Sequence, residues 1–139
     1  MTGQPQVAYV DDDPRLRSLM TEELLDEGVK PLVCSTGQEL LDLLENEQVD
    51  LIFLDLMMPV MDGLTCLQHL KEHNVTAPVL VVTAFNDENK RQESLSKGAN
   101  DYILKPNMFE KLPLLLNQYL GKNRKTSHGN KFSESKRSR

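Results

Sequence analysis

Five short apolar runs alternate with segments of helical periodicity along this chain, and that alternation constrains the fold more than any other sequence feature. The runs lie near residues 6–10, 30–34, 50–54, 78–82 and 101–104. Strands that alternate with helices form stacked strand–helix units and a parallel sheet. Four runs are almost continuously apolar, which is typical of strands covered on both faces. The second run is weaker because it contains Pro31, and it is predicted to lie nearer an edge.

Sequence signals mark the ends of the helices between these strands. Asp13 and Pro14 are predicted to cap and open the first helix, and Gly28 is predicted to end it. A fourth helix is predicted over about residues 87–96, where Leu95 is its only aliphatic residue. A helix that buries so little apolar surface is held weakly, so we expect this one to be displaced easily.

The fifth helix is predicted over about residues 109–120. Pro113 should then lie in its first turn, because proline is poorly tolerated in a helix interior. Its leucines cover more than one helix face, so a strip that includes Leu114 should remain exposed. The bond between Lys105 and Pro106, just before this helix, is a candidate for a cis peptide, which is rare except before proline.

Polar residues stand at the ends of four apolar runs. Asp11 and Asp12 follow the first run, and Asp55 ends the third. Thr83 follows the fourth run and Lys105 follows the fifth. Because the carboxyl ends of parallel strands meet at one edge of the sheet, these side chains should converge there. Three carboxylates, one hydroxyl and one ammonium group suit a divalent cation and a phosphoryl group.

Mg²⁺ is the cation that this ligand set predicts, because it takes oxygen ligands in octahedral geometry. Asp12 and Asp55 could each give the metal an oxygen directly, and Asp11 could act through water. The backbone carbonyl of Met57, two residues beyond Asp55, is a further candidate ligand. The sequence therefore predicts a magnesium site beside a phosphoryl group.

The net charge of −5 combines two segments of opposite charge. Residues 121–139 contain seven Lys or Arg residues and one acidic residue, so the remainder is strongly acidic. We therefore divide the chain into a folded domain at residues 1–120 and a basic tail at residues 121–139. The tail is predicted to be disordered because it has little apolar surface to bury. The acidic domain argues against nucleic acid binding by the fold itself.

The cysteines and the hydropathy indicate a cellular compartment. Cys34 and Cys66 stand in apolar surroundings without the spacing of a disulfide scaffold, which predicts buried free thiols in a reducing environment. The first residues lack the build of a signal peptide, and no apolar run approaches the roughly 20 residues that span a bilayer. We therefore predict a cytoplasmic protein without membrane insertion.

The ordered motifs VDDD, DLMMPVMDG, TA and KP, with GANDYILKP around the last, resemble the receiver domain of two-component response regulators. The similarity covers about residues 5–120. It implies a flavodoxin-like, doubly wound α/β fold with a five-stranded parallel sheet in the order 2-1-3-4-5. Two helices should cover one face and three the other. The family usually has Phe after Lys-Pro, whereas this chain has Asn107, which affects the packing of the loop into helix five.

The same resemblance implies roles for the residues at the strand ends. Asp55 matches the phosphoacceptor, and a sensor histidine kinase or a histidine phosphotransfer protein would supply the phosphoryl group. Asp11 and Asp12 match the acidic pair that binds Mg²⁺. Lys105 matches the lysine that binds the phosphoryl oxygens. These assignments describe a phosphoprotein that catalyses at most its own phosphotransfer and dephosphorylation, not an enzyme acting on external substrates.

The resemblance also implies how phosphorylation would change the conformation of the domain. Thr83 matches the switch hydroxyl, and Tyr102 matches the switch aromatic residue. Phosphorylation would change the surface formed by helix four, strand five and helix five, where an unidentified downstream protein would bind. A homodimer through the same surface is a further arrangement that this fold allows. The chain could act as a single-domain regulator, as a phosphorelay intermediate or as part of a longer protein.

Two other functions share parts of this pattern. A haloacid-dehalogenase-like phosphatase also forms an aspartyl phosphate at a strand end, but it needs a second Asp two residues later. That position is Met57 here. A flavodoxin-like cofactor binder needs a loop rich in Ser, Thr or Gly after the first strand. This chain has acidic residues there, which would repel a phosphate unless a metal intervened.

Overall fold

The computed structural model describes residues 3–121. The elements run in chain order β1 (Gln6–Val10), α1 (Pro14–Asp26), β2 (Lys30–Cys34), α2 (Gly37–Leu44), β3 (Leu51–Asp55), α3 (Gly63–Glu72), β4 (Val79–Thr83), α4 (Glu88–Ser96), β5 (Asp101–Leu104) and α5 (Lys105–Leu120). The predicted disorder of the basic tail concerns residues that, apart from Gly121, lie outside the described range.

The five strands form one parallel sheet in the order β2-β1-β3-β4-β5. This confirms the predicted α/β fold and strand order. Every residue of β3 and β4 is buried, as their continuous apolar sequences predicted. The weaker strand β2 lies at an edge and buries only Cys34, so the prediction for the second run is also confirmed.

Alternate strand residues pack against two separate groups of helices. One face of the sheet packs against α1 and α5 through residues such as Met20, Leu24 and Leu112. The other face packs against α2, α3 and α4 through residues such as Leu40 and Leu67. Because successive side chains of a strand point to opposite faces, both layers bury apolar residues. The predicted arrangement of two helices on one face and three on the other is confirmed.

The predicted ends of α1 agree with the structure. The side chain of Asp13 accepts a hydrogen bond from the backbone N–H of Arg15 at 2.9 Å, and Gly28 adopts the left-handed conformation just after the helix. Helix α4 is almost wholly polar. Its fully buried residue is Ser94, while Leu95 is half-buried against the core. This thin apolar contact supports the expectation that α4 is readily displaced.

Helix α5 begins earlier than predicted, at Lys105 and not near Phe109. Pro106 occupies its first turn, where a proline with fixed φ is favoured, and Pro113 therefore lies in the helix interior. The bond between Lys105 and Pro106 is trans, as are all peptide bonds within residues 3–121, so the suggested cis bond is wrong. The exposure of Leu114 is confirmed, since 68% of it is accessible.

The two cysteines also follow the sequence prediction. Cys34 and Cys66 are free and buried, and burial raises the pKa of the Cys34 thiol to about 11. Among the helices that the structure describes, none is both long and apolar enough to cross a membrane.

Candidate functional site

The polar residues that follow the strands meet at one edge of the sheet. Asp55 is the last residue of β3 and Thr83 the last of β4, while Asp11 directly follows β1 and Lys105 directly follows β5. The strands that carry them are parallel neighbours, so these ends lie side by side. The predicted convergence of these strand ends at one edge of the sheet is therefore confirmed.

Three carboxylates form the acidic part of this site. Asp11, Asp12 and Asp55 each offer an oxygen atom, and these atoms lie within 4.8 Å of one another. Asp11 and Asp55 are buried and Asp12 is exposed, so the cluster opens to solvent on one side. Clustered carboxylates need a compensating charge, and a hard divalent cation prefers oxygen ligands of this kind. The donor set therefore fits Mg²⁺.

Lys105 supplies the positive charge inside the cluster. Its Nζ lies 3.0 Å from Oδ2 of Asp11 and 3.4 Å from Oδ2 of Asp55. Burial alone would lower the pKa of Lys105, but the hydrogen bond to Asp11 and the charges of both carboxylates raise it above its usual value. The ammonium group therefore remains protonated, and it can contact an anion bound beside Asp55.

Asp55 sits in an environment that disfavours its charge. Burial and the nearby charge of Asp11 raise its pKa to about 6, although Lys105 opposes this effect. Its Oδ1 accepts a hydrogen bond from the backbone N–H of Met57 at 3.3 Å. The two carboxylate oxygens thus have different partners, because the Lys105 ammonium contacts Oδ2. The carboxylate is therefore mostly ionised at neutral pH, and a bound cation would stabilise its negative charge.

Thr83 and Tyr102 are linked through the backbone of one loop residue. The backbone N–H of Phe85 donates to Oγ1 of Thr83 at 3.2 Å, and the carbonyl of Phe85 accepts from the Tyr102 hydroxyl at 3.1 Å. Burial, followed by the charge of Asp87, raises the pKa of the Tyr102 hydroxyl. A hydrogen bond with the side chain of Thr83, which is fully buried, opposes these two effects and lowers the pKa of Tyr102. The hydroxyl of Thr83 therefore has one proton to donate besides the bond that it accepts from Phe85.

Two residues at the site were missed from the sequence. The hydroxyl of Tyr9, buried in β1, donates to Oδ2 of Asp11 at 2.6 Å, and burial and this carboxylate raise the pKa of the phenol. The guanidinium of Arg17 on α1 donates to the backbone carbonyl of Asp11 at 2.8 Å. Strand periodicity could have identified Tyr9, because residues two apart lie on the same face of a strand.

The loop from β3 to α3 approaches the sheet closely. Gly63 starts α3 with its N–H bonded to the carbonyl of Leu56 at 2.9 Å. A Cβ added to Gly63 would lie 2.6 Å from the backbone oxygen of Asp55. Only glycine permits this approach, which explains the glycine that ends the DLMMPVMDG motif.

Val60 in the same loop adopts a left-handed backbone with φ 68°, and its side chain is fully exposed. This conformation costs a residue with a Cβ about 1–2 kcal/mol, and an exposed side chain recovers little of that cost. We therefore expect Val60→Gly to raise the free energy of unfolding by about 1 kcal/mol, since the added entropy of the unfolded chain offsets part of the gain. Urea unfolding measures the change. Val33→Gly, at an exposed position of the extended edge strand, is the control and should destabilise the protein.

Residues 7–117 match the response regulator receiver domain. The chain belongs to this family. The resemblance carried by the four strand-end motifs is thereby confirmed, and the chain contains a phosphoaccepting signalling domain of two-component systems.

Curated relatives and solved structures agree with this assignment. The chain is 39% identical over 101 residues to the transcriptional regulatory protein SrrA of Staphylococcus aureus, covering 73% of this chain and 42% of that protein. It is 36% identical over 102 residues to the transcriptional activator protein PfeR of Pseudomonas aeruginosa, covering 73% of this chain and 33% of that protein. The chain thus spans less than half the length of these two regulators.

A shorter relative and two receiver structures cover the fold more completely. An uncharacterized 14.6 kDa protein of Leptolyngbya boryana is 38% identical over 119 residues, covering 84% of this chain and 91% of that protein. A Francisella response regulator receiver domain superposes with a TM-score of 0.77 at 30% identity, covering 83% and 95% of the two chains. The Vibrio cholerae chemotaxis protein CheY4 superposes with a TM-score of 0.79 at 27% identity, covering 84% and 99%.

Proposed function

We propose that this receiver domain takes a phosphoryl group on Asp55 from a sensor histidine kinase or a histidine phosphotransfer protein. The observation that carries the proposal is the position of Asp55, buried at a strand end with Lys105 and two further carboxylates beside it. An oxygen of Asp55 would attack phosphorus, the bond from phosphorus to the donor's imidazole nitrogen would break, and its electron pair would stay on that nitrogen.

The remaining site residues have complementary roles in this proposal. Asp11, Asp12, Asp55 and the backbone carbonyl of Met57 would hold Mg²⁺, which when bound supplies positive charge beside the acyl phosphate. Lys105 would transfer its contact from the carboxylates to a phosphoryl oxygen, as a point charge suited to that group. The site then has charge compensation both before and after phosphorylation.

Thr83 and Tyr102 would convert the new charge into a change of shape. The Thr83 hydroxyl can donate to a phosphoryl oxygen while its own oxygen stays bonded to the N–H of Phe85. Movement of Thr83 would then shift the Phe85 carbonyl that holds the Tyr102 hydroxyl. The switch residues are thus coupled through one peptide segment, which leads directly into the weakly anchored helix α4.

The output surface would be formed by α4, β5 and α5. Its α4 part buries little apolar surface, and its α5 part exposes Leu114. An unidentified downstream protein would bind there, and a homodimer through the same surface is an alternative occupant. We further propose that residues 1–120 form the functional domain and that it acts in the cytoplasm, where its kinase would be found.

Incubation with acetyl phosphate tests the proposal directly. We expect intact-mass spectrometry to show a gain of one phosphoryl group in the presence of Mg²⁺ and little gain with excess EDTA. A gain of the same size under both conditions would contradict the metal dependence. The absence of any gain, while the protein binds neither Mg²⁺ nor beryllofluoride, would contradict the proposed site.

The phosphorylated state is expected to be long-lived for this family because Met57 and Phe85 flank the site. Both side chains are largely exposed on the loops that follow Asp55 and Thr83, and neither has a group to orient an attacking water. Phe85→Glu and Met57→Asn should therefore speed dephosphorylation by about tenfold, less than the roughly 100-fold or more that an optimally placed general base provides.

The decay is followed by intact mass after removal of the phosphodonor. Val60→Asn is the matched control, because it adds a polar side chain to the loop that contains Met57. Val60 has a left-handed backbone, a conformation that asparagine tolerates. The control should decay at the wild-type rate. Equal or slower decay in both test variants would refute the role of Met57 and Phe85.

A further inference from the structure

Tyr9 brings a hydroxyl group into an otherwise apolar layer. It is fully buried in β1, packed in the cluster that contains Phe53, Met108 and Leu112. A hydroxyl buried without a partner is costly, so its partner identifies its role. That partner is a carboxylate of the acidic site, Oδ2 of Asp11, at 2.6 Å. The core under the site is thus connected to it by one short hydrogen bond.

In the described part of the chain, the hydrogen bond from Tyr9 is one of three contacts that hold the Asp11 carboxylate. Oδ2 of Asp11 accepts the Tyr9 hydroxyl and also lies 3.0 Å from Nζ of Lys105. Oδ1 accepts the backbone N–H of Asp13 at 3.0 Å. A carboxylate oxygen has two lone pairs, so Oδ2 is filled while Oδ1 retains one free site. The carboxylate is therefore held at both oxygens.

The two donors to Oδ2 differ in how firmly they are fixed. Lys105 has a long side chain and is shared with Asp55, so it can leave Asp11 when a phosphoryl group arrives. Tyr9 is enclosed by the core and hydrogen bonds within the same strand segment, so it has no such freedom. When the lysine leaves, Tyr9 and the Asp13 amide remain to keep Asp11 in its orientation.

We propose that Tyr9 is a positioning residue for the cation site, holding Asp11 in one orientation toward Asp12 and Asp55. The inference rests on the proposed Mg²⁺ site and assigns a role to a residue outside its ligand set. Donors that orient a metal's carboxylate ligands affect affinity by about 10–100-fold in other sites. The role is thus measurable as metal affinity, without phosphorylation.

Mg²⁺ titration followed by amide NMR shifts of the full chain tests this role. Tyr9→Phe should weaken Mg²⁺ binding by about tenfold. Val7→Ala is the matched control, because Val7 lies on the same face of β1 and in the same buried cluster but at the other end of the strand. Its affinity should stay within about twofold of wild type, since it removes packing and leaves the bond to Asp11.

The outcomes separate this inference from the proposed function. If the wild-type chain does not bind Mg²⁺, the cation site itself is refuted. If it binds and Tyr9→Phe binds equally well, the role of Tyr9 is refuted and the site stands. If Val7→Ala weakens binding as much as Tyr9→Phe, the effect comes from general loosening of the core and the role of Tyr9 is again refuted.

A second measurement needs no change at Tyr9. The chain has three tyrosines, and all can be replaced by 3-fluorotyrosine and observed by ¹⁹F NMR. Tyr102→Phe and Tyr119→Phe each remove one signal, which leaves the third assigned to Tyr9. Saturating Mg²⁺ should shift the Tyr9 signal, because the carboxylate that it contacts changes its surroundings, and should leave the Tyr119 signal in place. An unmoved Tyr9 signal at saturation would overturn the inference.

Discussion

Asp55→Ala is expected to abolish the gain of one phosphoryl group from acetyl phosphate, because it removes the carboxylate that the proposed reaction phosphorylates. The other groups of the site, including Lys105 and Asp11, would still attract a phosphate, but they would form no stable acyl bond. Intact-mass spectrometry with saturating Mg²⁺ measures the loss, and peptide mapping of the wild-type protein locates the modification.

Two control variants are compared with Asp55→Ala. Asp12→Ala should still be phosphorylated, more slowly, because it removes one metal ligand and leaves the nucleophile. Asp42→Ala replaces an aspartate of α2 that lies outside the acidic cluster and should be phosphorylated like wild type. An undiminished mass gain in Asp55→Ala would place the phosphoryl group on another residue and would contradict the assignment of the site.

Asp55→Asn is expected to stabilise the metal-free protein at neutral pH by on the order of 2–3 kcal/mol. Burial and Asp11 raise the pKa of Asp55 from 3.8 to about 6, and a difference of one in pKa corresponds to about 1.4 kcal/mol. The folded protein therefore binds this proton more tightly than the unfolded chain does. Stability falls as pH rises from about 4 to about 6 and stays lower above that range.

Urea unfolding in EDTA between pH 4 and pH 8 measures this effect. The stability difference between Asp55→Asn and wild type should be small near pH 4 and should grow to its full value above pH 6. Added Mg²⁺ should reduce it, because a cation compensates the ionised carboxylate. Asp42→Asn, which removes one charge outside the site, should show no such growth. If Asp55→Asn were less stable than wild type across the whole pH range, the claim that burial and Asp11 disfavour the charge of Asp55 would be contradicted.

Much of the fold follows from local sequence rules. The continuous apolar runs of β3 and β4 identified two fully buried central strands, and Pro31 identified β2 as an edge strand. Asp13 and Gly28 marked the ends of α1 through capping and left-handed backbone preferences. These rules succeed because each depends on a few neighbouring residues whose preference agrees with the final packing.

The beginning of α5 was mispredicted because two prolines competed for its first turn. Pro106 occupies the turn that the sequence prediction assigned to Pro113. Burial of Leu112, Leu115 and Leu116 against the sheet holds the helix together through Pro113. Tertiary packing therefore outweighed the local preference, and no pattern within the segment itself reveals how much apolar surface the sheet will cover.

The sequence predicted which charged residues meet at the site but not the hydrogen bonds that hold Asp11 in place. The strand-end rule brought Asp11, Asp55 and Lys105 together, because it depends only on parallel strands. The bond from Tyr9 to Asp11 and the bond from Arg17 to the Asp11 backbone depend on side-chain direction and on where α1 lies against the sheet. Those contacts emerge only from the assembled layers.

Amide hydrogen exchange of the full chain, with Mg²⁺ and with or without beryllofluoride, tests the central claim that this domain is a phosphorylation-driven switch. A hundredfold population shift requires about 2.7 kcal/mol of preferential stabilisation, which several charge-assisted hydrogen bonds from Lys105, Thr83 and backbone amides could supply. The account predicts altered protection across residues 84–106, which include α4 and β5, and no such change in Asp55→Ala. Protection that changes only around Asp55 would show a site that binds an anion without switching, and would contradict the account.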